Sequence, residues 1–156
     1  MKNVLFALLL LCALTSCSKE DDALNPKQTS FASDQYPQKW QLVSQSGNIA
    51  NMPPLTGTNM SWQEFYILNA NGSFTKTREL LGVATSASGT YKVEVVSGVN
   101  YLLLTYENDH ELIGNCTVEP IERLSFKSDQ ILLNEWNICD GPGLAYKRVK
   151  LDKEAN

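Results

Sequence analysis

Apolar and polar residues alternate with a period of two over most of this chain, and almost nowhere with the period of a helix. From Trp40 onward, short runs rich in β-branched and aromatic residues are cut by Gly, Asn, Asp, Ser and Pro. The clearest run is 90–95, where Tyr91, Val93 and Val95 share one face and Lys92 and Glu94 the other. Runs of this kind occupy 39–44, 62–68, 73–80, 90–95, 101–106, 122–126, 131–136 and 144–151. Asn71-Gly72 supplies the positive φ of a tight hairpin, Ser97-Gly98 and 127–130 turn the chain again, and Asp140-Gly141-Pro142-Gly143 leads into the last run. The small residues of 82–89 read as a connection, and 47–60, with Pro53-Pro54 and Gly57, as a long loop. Short strands joined by tight turns predict an all-β domain. Successive hairpins favour an antiparallel up-and-down meander of about eight strands, closed into a small barrel because closure removes exposed edges.

The first residues follow a different rule. Met1-Lys2-Asn3 precedes an unbroken apolar run from Val4 to Leu14, the pattern of a signal peptide. That run is shorter than the roughly 20 residues a spanning helix needs. Leu14-Thr15-Ser16-Cys17 closes it and looks like a lipobox, the recognition site of lipoprotein signal peptidase. The resemblance implies cleavage before Cys17 and transfer of a diacylglyceryl group to its sulfur, with palmitate-type acylation and a lipid anchor. Several acyl chains hold a protein on a membrane far more firmly than one. Ser18-Lys19-Glu20-Asp21-Asp22 is similar to the acidic export signals of surface lipoproteins in one Gram-negative phylum. The organisation expected is therefore a signal peptide over 1–16, a lipidated Cys and flexible polar tether over 17–35, a β domain over 36–151 and a tail over 152–156. The location expected is the outer membrane, facing the surface or the periplasm.

Charge and cysteine usage narrow the partners. The chain carries 13 basic and 17 acidic residues, and Lys2 would leave with the signal. A mildly acidic chain with no basic cluster beyond Lys147-Arg148-Lys150 is a poor match for nucleic acid. With Cys12 removed and Cys17 lipidated, Cys116 and Cys139 remain as an even pair in an exported domain, which predicts a disulfide.

Candidate chemistry is sparse. Asp109-His110-Glu111 is the one cluster with metal or proton-shuttle residue types; it reads as a solvated turn, and no metal or cofactor is expected. No nucleophile elbow is present, so no enzyme is expected. Glu64, Glu79, Glu94, Glu107 and Glu135 read as outer-face charges. Lys76 and Arg78 share a face with Phe74 and Leu80; turned inward, they would give the barrel a cationic group, and turned outward they would leave Thr75, Thr77 and Glu79 inside. Trp62, Tyr66, Phe74, Tyr91 and Trp136 are candidates to line an apolar pocket, or else to fill a small core.

Taken together, Trp40 in the first strand, a long first loop, the Asn71-Gly72-Ser73-Phe74 hairpin, the Gly89-Thr90-Tyr91 strand start and the closing Tyr146-Lys147-Arg148 resemble bacterial lipocalin-like lipoproteins over 38–150. The resemblance implies a lipocalin-like barrel in which Trp40 closes the bottom and Arg148 of the last strand lies over it. Gln38 stands where that family carries a glycine. Two functions follow as expectations: binding of a small hydrophobic or amphipathic ligand, or a filled barrel that works as a structural or interaction lipoprotein through its surface loops. No particular protein partner is implied.

Overall fold

A computed structural model describes residues 36–47 and 52–151. The expected signal peptide, the lipidation site at Cys17, the tether and the 152–156 tail lie outside the described residues. Nine strands form one antiparallel sheet: β1 (Gln38–Ser46), β2 (Leu55–Thr56), β3 (Gln63–Leu68), β4 (Ser73–Leu80), β5 (Val83–Val96), β6 (Val99–Tyr106), β7 (Ile121–Ser128), β8 (Ile131–Asn134) and β9 (Gly143–Val149). β1 pairs with β3, each of β3 to β8 pairs with the next, and β9 pairs with β1 from Lys39↔Val149 to Ser46↔Gly143. Eight strands thus close an up-and-down barrel, with two-residue β2 added on the outside of β1. Among the described residues the only helical pieces are 3-10 turns, Gly57–Asn59 and Trp136–Cys139.

The alternation seen in the sequence sets the inside. Leu102, Leu104 and Tyr106 of β6 and Leu124 of β7 point inward and are buried, as do Tyr66, Leu68 and Phe74. Val43 is an extra residue in β1, between Leu42↔Tyr146 and Ser44↔Ala145. This bulge lets both Leu42 and Gln45 face the interior, where a strict period of two would send one of them out.

One connection expected from the sequence is strand instead. Of residues 82–89, all but Gly82 belong to β5, which pairs with β4 from Ser73↔Thr90 to Leu80↔Val83 across a two-residue turn at Leu81-Gly82. Leu81 and Gly82 both have positive φ (54° and 80°), the geometry of a tight hairpin. The small residues have a packing reason. A Cβ at Gly89 would lie 2.0 Å from the Thr105 carbonyl oxygen and 2.9 Å from the Phe74 ring. Only glycine lets β5 pass over the edge-to-face pair of Phe74 and Tyr106, whose centroids are 4.9 Å apart. Further along β5, Val95 continues the inward parity of Tyr91 but is 56 % exposed, because the β5–β6 hairpin runs past the end of the barrel.

The two ends differ. At the base, Trp40 packs edge-on against Phe126 at 6.0 Å, and its indole N–H donates to the Gln38 side-chain oxygen at 3.3 Å. Gln38 is itself buried and caps the tryptophan. Register places Arg148 directly opposite Trp40 on the neighbouring strand. At the other end, the mouth, residues 107–120 fold back so that Leu112 is buried. The Cys116–Cys139 disulfide ties this lid to the 3-10 turn Trp136–Cys139. Trp136 is clasped between two glycines: a Cβ would come within 2.4 Å of its ring from Gly141 and within 3.0 Å from Gly114.

Candidate functional site

Between base and mouth the interior is charged. Glu64 on β3, Lys76 on β4 and Glu122 on β7 are all fully buried, and Arg78 on β4 nearly so. The side chain of Lys76 reaches three acceptor groups, one for each of its protons. Its Nζ lies 3.1 Å from both Glu122 oxygens, 3.3 Å from Glu64 Oε1 and 2.7 Å from the Leu112 carbonyl oxygen of the lid. Glu64 Oε2 accepts from Arg78 Nε at 2.6 Å, and its other oxygen accepts the Tyr146 hydroxyl. Glu122 Oε2 accepts the hydroxyls of Tyr66 at 2.9 Å and Tyr106. Two carboxylates face two cations, so the interior carries no net charge, and charge-assisted bonds occupy the carboxylate lone pairs.

The phenols serve as donors, and their environment keeps them so. Burial raises the pKa of Tyr66, Tyr106 and Tyr146 well above the ordinary value of 10.0, and the neighbouring carboxylates push in the same direction. For Tyr66 and Tyr106 the stronger neighbour is Glu122; for Tyr146 it is Glu64.

Strand order decides what this network does to the barrel. β3 and β7 lie four strands apart in a ring of eight, on directly opposite walls. The Tyr66–Glu122 bond and the reach of Lys76 to Glu122 therefore cross the interior rather than run along one wall. With Tyr66 and Tyr146 also fully buried here, and Trp40, Phe74 and the leucines buried towards the base, side chains occupy the interior.

The outward reading of Glu64 is thus corrected: it is buried at the centre, on the same parity as Tyr66 and Leu68. The inward alternative for Lys76 and Arg78 is the one realised, with Thr77 hydrogen-bonded to Ser86 on the outside. The cation does not wait for an anionic guest, because two internal carboxylates already neutralise it. The five aromatic candidates all belong to the core cluster or pack against it. Tyr66 and Phe74 sit in the core. Trp62 and Trp136 lie at the mouth, while Tyr91 points to the base, where its hydroxyl donates to the Asn69 carbonyl at 2.7 Å. Near the lid, the Leu112 N–H donates to His110 Nδ1 at 3.1 Å, a local turn contact. Among the described residues, no three His, Cys, Asp or Glu side chains converge as metal ligands would.

Glu122, Tyr106 and Tyr146 escaped the sequence reading. Their parity was the available signal: Glu122 alternates with Leu124, Tyr106 with Leu104 and Tyr146 with Leu144, each on an inward face. Just below the mouth, the Arg78 guanidinium stacks on the Trp62 ring at 4.5 Å, and Trp62 Nε1 and Arg78 Nη2 are buried donors with no hydrogen-bond partner among the described residues. No family model, curated protein or solved structure matches this chain.

Proposed function

We propose that this protein is an exported, lipid-anchored, non-catalytic lipoprotein whose barrel is a scaffold and whose mouth-end loops are the working surface. The observation that carries the scaffold reading is the cross-barrel network of Glu64, Lys76, Glu122 and their phenol donors, which occupies the space a lipocalin-like barrel would give to a guest. The anchor rests on the apolar run and Cys17 of the sequence. Native mass spectrometry of the full chain purified from its own host tests the scaffold: the expected mass is that of the processed, acylated protein alone. A stoichiometric small molecule surviving purification overturns it. Cys17→Ala tests the anchor and should release the protein from membranes.

A second reading, binding of a small amphipathic ligand, is favoured by one observation. The orphan donors of Trp62 and Arg78 would suit an acceptor-bearing group placed under the lid. In that case the retained molecule would carry a carboxylate, phosphate or carbonyl, and Arg78→Met would abolish its retention.

A further inference from the structure

The four connections at the mouth expose apolar side chains, and two of the four are also acidic. The apolar side chains are Met52 and Leu55 before β3, Leu81 between β4 and β5, Val118 in the lid and Ile138 between β8 and β9. Leu81, Val118 and Ile138 are 96 %, 98 % and 75 % exposed, and Ile138 stands beside a cleft. Two of the connections, 107–120 and 135–142, carry Glu107, Asp109, Glu111, Glu119, Glu135 and Asp140, and none of the four has a lysine or arginine. The base also exposes valines, at Val95, Val96 and Val99, and the strand ends and turns around it are of mixed sign, with Lys39, Lys92, Lys127, Arg148 and Lys150 beside Glu94, which pairs with Lys92 at 3.4 Å, and Asp129.

Beside the lid disulfide the mouth face has a cleft of about 340 Å³. Leu103, Ile121 and Ile138 give it apolar walls, and Glu119 and Glu135 stand in its lining. Arg123 lines it too, but its guanidinium is turned to Glu94 at 3.6 Å and to the Tyr101 ring at 5.3 Å. A cleft of this size accepts one aromatic or long aliphatic side chain, the kind of anchor that dominates protein interfaces. Carboxylates around it repel an anionic bilayer and attract a cationic segment.

We propose that the mouth face docks a protein partner that seats one aromatic or long aliphatic side chain, flanked by lysines or arginines, in the cleft beside Cys116–Cys139. This rests on the scaffold reading, in which the loops rather than the interior do the binding.

The test uses the full chain and three fluorescent peptide probes: Lys-Lys-Trp-Lys-Lys, Lys-Lys-Ala-Lys-Lys and Glu-Glu-Trp-Glu-Glu, titrated by anisotropy at low and moderate salt. The basic Trp probe should bind about tenfold tighter than the basic Ala probe, and the acidic probe should not bind. Ile138→Ser, at an exposed position that the fold does not need, should remove the preference for Trp. Glu119→Gln with Glu135→Gln should weaken both basic probes, and Val99→Ser at the base should change nothing. Equal binding of the Trp and Ala probes, or a Trp preference that survives Ile138→Ser, overturns the proposal. So does binding to phosphatidylglycerol vesicles that Ile138→Ser abolishes, which would make the occupant a membrane. A dimer in sedimentation that Ile138→Ser dissociates also overturns it, in favour of a second copy. A small molecule retained in native mass spectrometry sinks the scaffold reading without touching the peptide result, so the two failures are distinguishable.

Discussion

The base half and the mouth half of the barrel interior come from the same strands and are held together by different physics. Along β3 the inward residues run Leu68, Tyr66, Glu64; along β4, Phe74, Lys76, Arg78; along β7, Phe126, Leu124, Glu122. Two or four residues along each strand, the interior passes from hydrocarbon to charge. The base half is stabilised by burial, which is non-directional and proportional to area. The mouth half removes four ionisable side chains from water and recovers that cost only through close, directional bonds. The apolar half should therefore respond to volume, and the charged half to the loss of a single partner.

Glu122→Leu is the sharpest way to break this comparison. It leaves Lys76 with Glu64 and the lid carbonyl alone, and strips the acceptor from the Tyr66 and Tyr106 hydroxyls. A loss of about 3–5 kcal/mol is expected in chemical denaturation. Lys76→Met added to it should recover part of that loss, since the orphaned charge goes too. If Glu122→Leu costs under about 1 kcal/mol, the network is not what holds the mouth half.

Two residues along the same strand, Leu124→Ala should cost about 3 kcal/mol and Leu124→Met under about 1.5 kcal/mol, because the base half counts methylenes. A Met variant as damaged as the Ala variant would show that the apolar half is also exacting in shape.

The disulfide comes next. Cys116 and Cys139 are separated by 23 residues, and removing both sulfurs should cost about 3 kcal/mol in the loop-entropy account. Thiol titration of the denatured, unreduced protein should find neither thiol free.

The gentlest test is alkaline pH. The pKa values of Tyr66, Tyr106 and Tyr146 are raised in the folded state, so their contribution is fully present below the ordinary phenol value near 10 and lost as pH rises beyond it. Denaturant midpoints should hold steady through neutral pH and fall above about pH 10. Of the six tyrosines, Tyr66, Tyr106 and Tyr146 should show no phenolate absorbance until the protein unfolds, and Tyr91, raised by burial and by its hydrogen bond with Tyr36, should ionise above the ordinary value. Ionisation of all six in the folded state would place the three phenols in contact with water.

Most of the barrel was legible in the sequence, because period-two alternation is both the signal and the cause of a half-buried strand. The β4 boundaries, the Asn71-Gly72 and Ser97-Gly98 turns and the Cys116–Cys139 pairing follow from it and from residue chemistry. The first half of β5 was not legible. Ala87 and Gly89 are small because of the core they pass over, and that is a tertiary fact. The charged core was hidden for a related reason. Composition places glutamate and lysine outside, and only strict parity placed Glu64, Lys76 and Glu122 within. Where composition and parity disagreed, parity was the better guide, since each of the three charges had partners on other strands that one-dimensional reading cannot see.

The bond from Lys76 to the Leu112 carbonyl has a dynamic consequence. Lifting the lid would strand one proton of a buried ammonium without an acceptor, so the loop cannot open as an independent fluctuation while the core stays intact. Lid and core then form a single cooperative unit, and amide protons such as that of Ile113, hydrogen-bonded to the His110 carbonyl at 3.0 Å, should exchange with solvent at the slow pace of global unfolding rather than at the pace of a surface loop.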